Sequence, residues 1–304
     1  MTLEKHVDEF WELMEQIAGN KIYGEFCRDF DKEELLYTQR ILADKYQPLT
    51  ALVDTLVGFF RESMIVIAER MNLFQGDKTE NFHYFLLLRS TMLRAQAVRK
   101  LLTSGYNAEA IGLTRSLWEI FELLPALRKN VVTFEEWLGG KTTQDDLLLK
   151  IHEKRKFLKK KQFDFSKKLK TFRNNILKDW IEEEKDQILG WIDIMHRALH
   201  RNQLEFAFSK NDLEDARLSI SIQFEERRVQ SSLNIFIFTL YGLLKDLSNS
   251  PIFPNADQAW FHKYEKVMEL LGVFCRSSPM GMGQLILKYI DGLVAMKAEH
   301  RELV

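Results

Sequence analysis

Apolar residues recur along most of the chain at intervals of three and four, which places them on one face of an α-helix. The segment that follows Pro48 is the longest example, and its apolar positions are Leu52, Leu56, Phe59, Phe60, Ile67 and Met71. Comparable patterns predict further helices over about 3–18, 31–47, 80–104, 107–124, 133–138, 180–204, 225–248, 256–276 and 282–300. The chain is therefore predicted to be all-α, a multi-helix bundle of eight to eleven helices with little or no β structure.

One stretch departs from the helical pattern. In RLSISIQF, residues 217–224, apolar and polar residues alternate strictly, with the apolar positions at Leu218, Ile220, Ile222 and Phe224. Such alternation is typical of an extended segment or a short hairpin strand. We expect no other strand.

Composition agrees with long helices, because the chain has only five prolines and fourteen glycines in 304 residues. The 46% of hydrophobic residues can form a packed core. The two cysteines, Cys27 and Cys275, predict neither a disulfide framework nor a cysteine zinc site. The longest apolar stretch, residues 233–244, is shorter than the roughly 20 residues that span a bilayer, and the first 16 residues lack signal-peptide features. We expect a cytoplasmic protein with no membrane association.

A basic segment covers residues 150–178, where twelve lysines and arginines stand against Glu153 and Asp164. The whole chain has a formal charge of −1, so the remainder carries about −11. We interpret 1–304 as one helical domain, with 1–75 as an N-terminal helical extension and 141–178 as a basic helical insertion.

The basic segment predicts contacts with RNA phosphates. The candidate nucleic-acid-binding residues are Lys159, Lys160, Lys161, Lys167, Lys168 and Arg173. Aromatic residues that could stack on bases are interleaved with them, namely Phe157, Phe163, Phe165, Phe172 and Trp180. The alternative is a solvated helix face with these aromatic residues on its inner side.

The stretch MHRALHRN, residues 195–202, sets two histidines one helical turn apart. On a helix, Asp193, His196, Arg197 and His200 share one face, opposite an apolar face. Histidines four residues apart can bind zinc, but the glutamate that follows the first histidine in metalloproteases is absent. An exposed polar face is the preferred interpretation, and we predict no metal site.

A second polar group lies in an otherwise apolar helix, where Arg115, Glu119 and Glu122 form one stripe. Buried charges must be paired, so an Arg115–Glu119 ion pair is expected. This pair could be purely structural, or it could line a polar pocket and hold His200. No glycine-rich phosphate loop, Ser-His-Asp signature or helix-turn-helix is recognisable, and no cofactor is predicted.

The segment LLTSGYNAEAIGLTRSLWEIFELL, residues 101–124, resembles a recurring element of bacterial all-helical families of unknown function. In these families an arginine and a glutamate four residues later follow a short turn with a glycine, and a later helix carries a histidine that matches His200. The resemblance covers about residues 80–248 and extends to the HEPN superfamily, many members of which are RNA-cutting toxins or phage-defence proteins.

HEPN nucleases use an arginine, a polar residue and a histidine about four to six places after the arginine. Here Arg173-Asn174 begins that motif, but Lys178 stands where the histidine would be. Arg197 precedes His200 by only three residues, so a cleavage site would be assembled differently.

The leading hypothesis is a protein that binds or acts on RNA, as a ribonuclease toxin or phage-defence component. A metal-independent ribonuclease would use His200, Arg197, Arg115 and Glu119 as its catalytic residues. The alternative is a helical scaffold whose basic face binds an acidic protein, and a third hypothesis is a sensor that binds a small ligand at Arg115 and Glu119. A homodimer is among the assemblies that the sequence allows.

Overall fold

The computed structural model describes residues 35–70, 80–137, 167–199, 226–250, 258–277 and 282–295. Within these ranges all regular structure is helical and no strand occurs. The number of described helices lies within the predicted eight to eleven, so the all-α prediction is confirmed. The alternating segment 217–224 lies outside the described residues.

The described helices follow the predicted segments closely, with α6 inside the predicted basic helical insertion, whereas the predicted helix over 3–18 lies outside the described residues. In chain order they are α1 (35–45), α2 (Gln47–Arg70), α3 (Glu80–Thr103), α4 (Asn107–Arg128), α5 (Phe134–Trp137), α6 (167–177), α7 (Glu182–Leu199), α8 (Glu226–Leu247), α9 (Gln258–Ser277) and α10 (Met282–Ala295). The turn between α3 and α4 contains Gly105, whose positive φ of 88° is the left-handed conformation that favours glycine after a helix.

Two local features lie near the end of α4, namely a proline within the helix and a cap at the start of α5. Pro125 does not end the helix, which continues to Arg128. Leu124, Ala126 and Leu127 are buried there, and this packing favours continuation past the proline. A capping box starts α5, as the Thr133 and Glu136 pattern in the sequence indicates, because the backbone amide of Glu136 donates to Thr133 Oγ1 at 3.1 Å and the amide of Thr133 donates to Glu136 Oε2 at 3.0 Å.

The core is centred on α4, which packs against α3, α7 and α8. Trp118 and Phe121 of α4 are fully buried. The ring of Phe121 lies directly over Gly242 of α8, where a Cβ atom would come within 2.9 Å of the ring. Because Gly242 has no side chain, α8 can approach α4 closely at this point.

Two segments that the sequence marks as an extension and an insertion contribute to the same hydrophobic core. α2, within 1–75, buries Leu56, Phe60 and Ile67, and α6, within 141–178, buries Phe172 and Leu177. α9 joins through Trp260, which stacks on Phe59 of α2 with 5.6 Å between ring centroids. No helix in the described ranges is long and apolar enough to cross a membrane.

Candidate functional site

The predicted ion pair between Arg115 and Glu119 is present. Arg115 Nη2 lies 3.1 Å from Glu119 Oε1, one turn further along α4. The Arg115 side chain is 7% exposed and that of Glu119 is 48% exposed, so the pair connects the protein interior to its surface.

This ion pair satisfies only part of the Arg115 guanidinium, which has five N–H donors. The Nε and Nη1 atoms are buried and have no hydrogen-bond partner within the described residues. Burial of a charged donor without an acceptor costs free energy. An additional acceptor, such as a carboxylate or phosphate oxygen, would therefore stabilise this side of Arg115.

The direction of α7 relative to α4 determines which part of α7 lies beside Arg115. Near the start of α7, Glu184 accepts a hydrogen bond of 2.6 Å from Lys288, and the neighbouring Tyr289 contacts Glu122 of α4. Two turns later, Trp191 packs on Trp118 with 4.6 Å between ring centroids. α7 is therefore antiparallel to α4, and its C-terminal end extends along the N-terminal half of α4, which carries Arg115.

The predicted histidine face coincides with that end of α7. On the opposite side of the helix, Ile188, Ile192 and Met195 are buried, as the apolar pattern predicts. His196 and Arg197 belong to the last turn of α7, whereas His200 lies outside the described residues. The structure thus brings together Arg115 and Glu119 and places the C-terminal end of α7 beside the N-terminal half of α4, whereas the side chains of His196 and Arg197 lie outside the described residues.

A buried polar cluster surrounds Glu122, the third member of the predicted stripe. Its carboxylate accepts hydrogen bonds of 3.0 Å from Arg173 Nε, Trp118 Nε1 and the Tyr289 hydroxyl, and a further one from Arg173 Nη2 at 2.5 Å. Burial raises the pKa of Tyr289 well above its usual value, and the adjacent Glu122 carboxylate raises it further. The cluster therefore holds a neutral phenol, a carboxylate and a guanidinium.

The position of Arg173 in this cluster differs from the one expected for a residue that binds nucleic acid. The Nε and Nη2 atoms of its guanidinium donate to Glu122 inside the bundle, and the side chain is only 19% exposed, so most of it is turned away from a phosphate at the surface. The sequence does indicate that Arg173 faces inward, because the helical repeat places it on the same side of α6 as Leu169, Ile176 and Leu177. No local pattern identifies its partner Glu122 in α4, which is 51 residues away.

A second buried polar cluster lies at the end of α4. Asp246 of α8 accepts hydrogen bonds from Arg128 at 2.7 Å and from the Tyr84 hydroxyl at 2.9 Å. Lys129 donates to the carbonyl of Leu293 at 2.9 Å, near the C-terminal end of α10. Burial lowers the pKa of Lys129 to about 8, and Arg128 lowers it in the same direction.

The remaining predicted nucleic-acid residues belong to the basic segment. Lys159, Lys160 and Lys161 lie outside the described residues. Lys167 is exposed on α6, and Lys168 forms an ion pair with Glu136 of α5. The outer face of α6 also exposes Lys170 and, directly after the helix, Lys178.

Among the described residues, no group of three or more histidine, cysteine, aspartate and glutamate side chains is arranged to hold a metal ion. Comparisons with models of known protein families, with curated protein sequences and with solved structures identify no match to this chain. Its function must therefore be argued from the site geometry.

Proposed function

We propose that the protein binds RNA through the basic segment 150–178, of which α6 is the described part. The observation that carries this proposal is the two-sided character of α6. Its inner side is attached to the core by Phe172 and by the Arg173–Glu122 ion pair. Its outer side exposes Lys167 and Lys170, and Lys178 is exposed directly after the helix; these three lysines form no ion pair within the described residues.

Lysines with no acidic partner bind phosphates more readily than paired lysines, because no existing contact must be broken. Each phosphate that a lysine neutralises releases condensed counterions, so affinity falls as the salt concentration rises. This electrostatic contribution does not depend on base sequence. The proposal thus describes RNA binding that is sensitive to salt and tolerant of sequence.

The test measures the affinity of fluorescently labelled RNA by anisotropy at several salt concentrations. The variant Lys167→Glu/Lys170→Glu/Lys178→Glu should bind RNA much more weakly than the unmodified protein. The matched control Arg94→Glu/Lys100→Glu/Lys266→Glu has the same change of charge at exposed positions of α3 and α9, and it should retain most of the affinity. Equal losses in the two variants would reject the basic segment as the binding face.

RNA cleavage is a second candidate function, favoured by the Nε and Nη1 donors of Arg115, which have no hydrogen-bond partner within the described residues. A metal-independent ribonuclease requires a base that activates the ribose 2′-hydroxyl and a cation that stabilises the phosphorane. His200 would be the base, Arg115 and Arg197 would supply positive charge, and Glu119 would hold Arg115 in place. A role as a toxin or in phage defence would follow from this activity.

Cleavage is tested by incubation of the purified protein with total RNA, with and without a chelator. We expect activity that persists with the chelator, is lost in His200→Ala and is little changed in His196→Ala. Activity that requires a metal and falls equally in both variants would favour a metal site. RNA binding without cleavage would leave the binding proposal intact.

The scaffold hypothesis gives a different result in the same assays. An acidic protein partner would compete for the same lysines, so RNA would bind no better than an acidic polypeptide of equal charge density. Stronger binding of RNA than of poly-glutamate, at the same salt concentration, is the expected result.

A further inference from the structure

The outer face of α6 carries a regular row of polar side chains. Lys167, Thr171 and Asn174 are exposed and follow the spacing i, i+4 and i+7, which aligns them along one side of the helix, and the exposed Lys178 follows directly after it. At 1.5 Å per residue, the three helical positions extend over about 10 Å. Together with Lys178, the row combines cations at its ends with a hydroxyl and an amide between them.

This face has no exposed aromatic platform within residues 167–181. Phe172 is buried against the core. Trp180 is partly buried, Lys288 covers its ring at 4.2 Å, and Tyr289 packs against it at 6.4 Å between ring centroids. Proteins that bind single strands use exposed aromatic rings on which successive bases stack. That contribution is missing from the described part of the face.

The helix that carries the row is attached to its neighbours at two points. Arg173 connects the middle of α6 to Glu122 of α4, and Lys168 forms an exposed ion pair with Glu136 near its beginning. A regular row of donors on a helix suits a nucleic acid that is itself rigid, because a flexible single strand would lose conformational entropy on binding to it.

We propose that this face of α6 binds double-stranded RNA through its backbone, with lysines on phosphates and Asn174 and Thr171 on ribose 2′-hydroxyls. Duplex RNA is recognised by its shape and by phosphate and 2′-hydroxyl contacts rather than by base stacking. The inference rests on the proposed RNA-binding function and specifies the class of RNA.

The test compares labelled duplex RNA, single-stranded RNA and duplex DNA of one length and sequence, by anisotropy with the full chain. Stacking of one base contributes about fivefold or more to the affinity for a single strand. Because the described part of this face lacks that contribution, we expect duplex RNA to bind at least about fivefold more tightly than single-stranded RNA. Lys167→Gln and Lys178→Gln should each reduce the salt slope for duplex RNA by about 1.

The variant Asn174→Ala tests the 2′-hydroxyl contact. It should weaken duplex RNA more than duplex DNA, whereas the control Gln258→Ala, exposed on α9, should affect neither. Circular dichroism establishes that each variant is folded. Single-stranded RNA that binds as tightly as the duplex, or an Asn174→Ala effect that is equal for RNA and DNA, would overturn this inference and leave the proposed function standing. A protein that binds no RNA at all would refute both.

Discussion

Arg173 of α6 and Glu122 of α4, 51 residues apart in the chain, form a two-point ion pair inside the helical bundle. The Glu122 side chain is almost completely buried and also accepts hydrogen bonds from Trp118 and Tyr289. Three helices, α4, α6 and α10, thus contribute to the environment of one carboxylate. The ion pair attaches the basic segment to the core, so its removal should affect both the stability of the core and the position of α6.

The first prediction concerns this pair. Glu122→Gln removes the negative charge and leaves the Arg173 guanidinium without a counter-charge, which costs about 3–5 kcal/mol for a buried pair. Arg173→Met should be similarly destabilising. The double variant should be more stable than the sum of the two losses predicts, by about 0.5–3 kcal/mol, because the charges interact directly. Urea denaturation measures all three, and additive losses would show that the side chains act independently.

The second prediction concerns the aromatic core of α4. Truncation of Trp118 or Phe121 to alanine should lower the free energy of unfolding by about 3–5 kcal/mol, because each side chain is fully buried. The control is Ile181→Ala, at a side chain that is 63% exposed, where the expected change is within about 0.5 kcal/mol. Denaturant midpoints provide the comparison. A loss below about 1 kcal/mol at Trp118 would contradict the packing described for α4.

The third prediction concerns the contact between Phe121 and Gly242. Gly242→Ala would place a methyl group 2.9 Å from the Phe121 ring, so overpacking should cost about 1–3 kcal/mol. Gly58→Ala in α2 is the matched control, because no atom lies within 4 Å of the added methyl group there. That control should raise the stability by about 0.5–1 kcal/mol, since alanine favours the helix over glycine. Thermal melts of the two variants should therefore shift in opposite directions.

The fourth prediction is a pH dependence from Lys129. Burial, with a smaller effect of Arg128, lowers the pKa of Lys129 in the folded state from 10.5 to about 8. At a pH between about 8 and 10.5, Lys129 is protonated to a greater extent in the unfolded chain than in the folded chain. The contribution of Lys129 to the free energy of unfolding therefore increases as the pH rises through 8. The difference in unfolding free energy between the unmodified protein and Lys129→Met, measured from pH 7 to 9.5, should grow in favour of the unmodified protein. A difference that is constant with pH would refute the lowered pKa.

Local signals in the sequence predicted the helices and several of their details. The 3.6-residue period of apolar residues is a property of each segment, so α2, α4 and α8 are recognisable without their neighbours. The Thr133–Glu136 capping box and the Arg115–Glu119 ion pair were predictable for the same reason, because both join residues three or four positions apart on one helix.

Other features depend on which helices pack against each other. Arg173 belongs to a run of cations, and the charge count alone cannot distinguish a lysine on the surface from an arginine that reaches Glu122 in the core. Asp246 likewise acquires Arg128 and Tyr84 only through the packing of α8 against α3 and α4. The antiparallel course of α7, which brings its C-terminal end beside the half of α4 that carries Arg115, also follows from contacts between distant segments.

The sequence by itself therefore determined the all-helical class, the main helix positions and the ion pairs and caps within single helices. Only the tertiary structure decided which cations are buried, which remain exposed on α6 and which helix runs beside Arg115. The physical reason is the range of the interactions. Helix periodicity and capping act over three or four residues, whereas burial of a charge requires a partner whose distance along the chain, such as the 51 residues between Glu122 and Arg173, has no local signature.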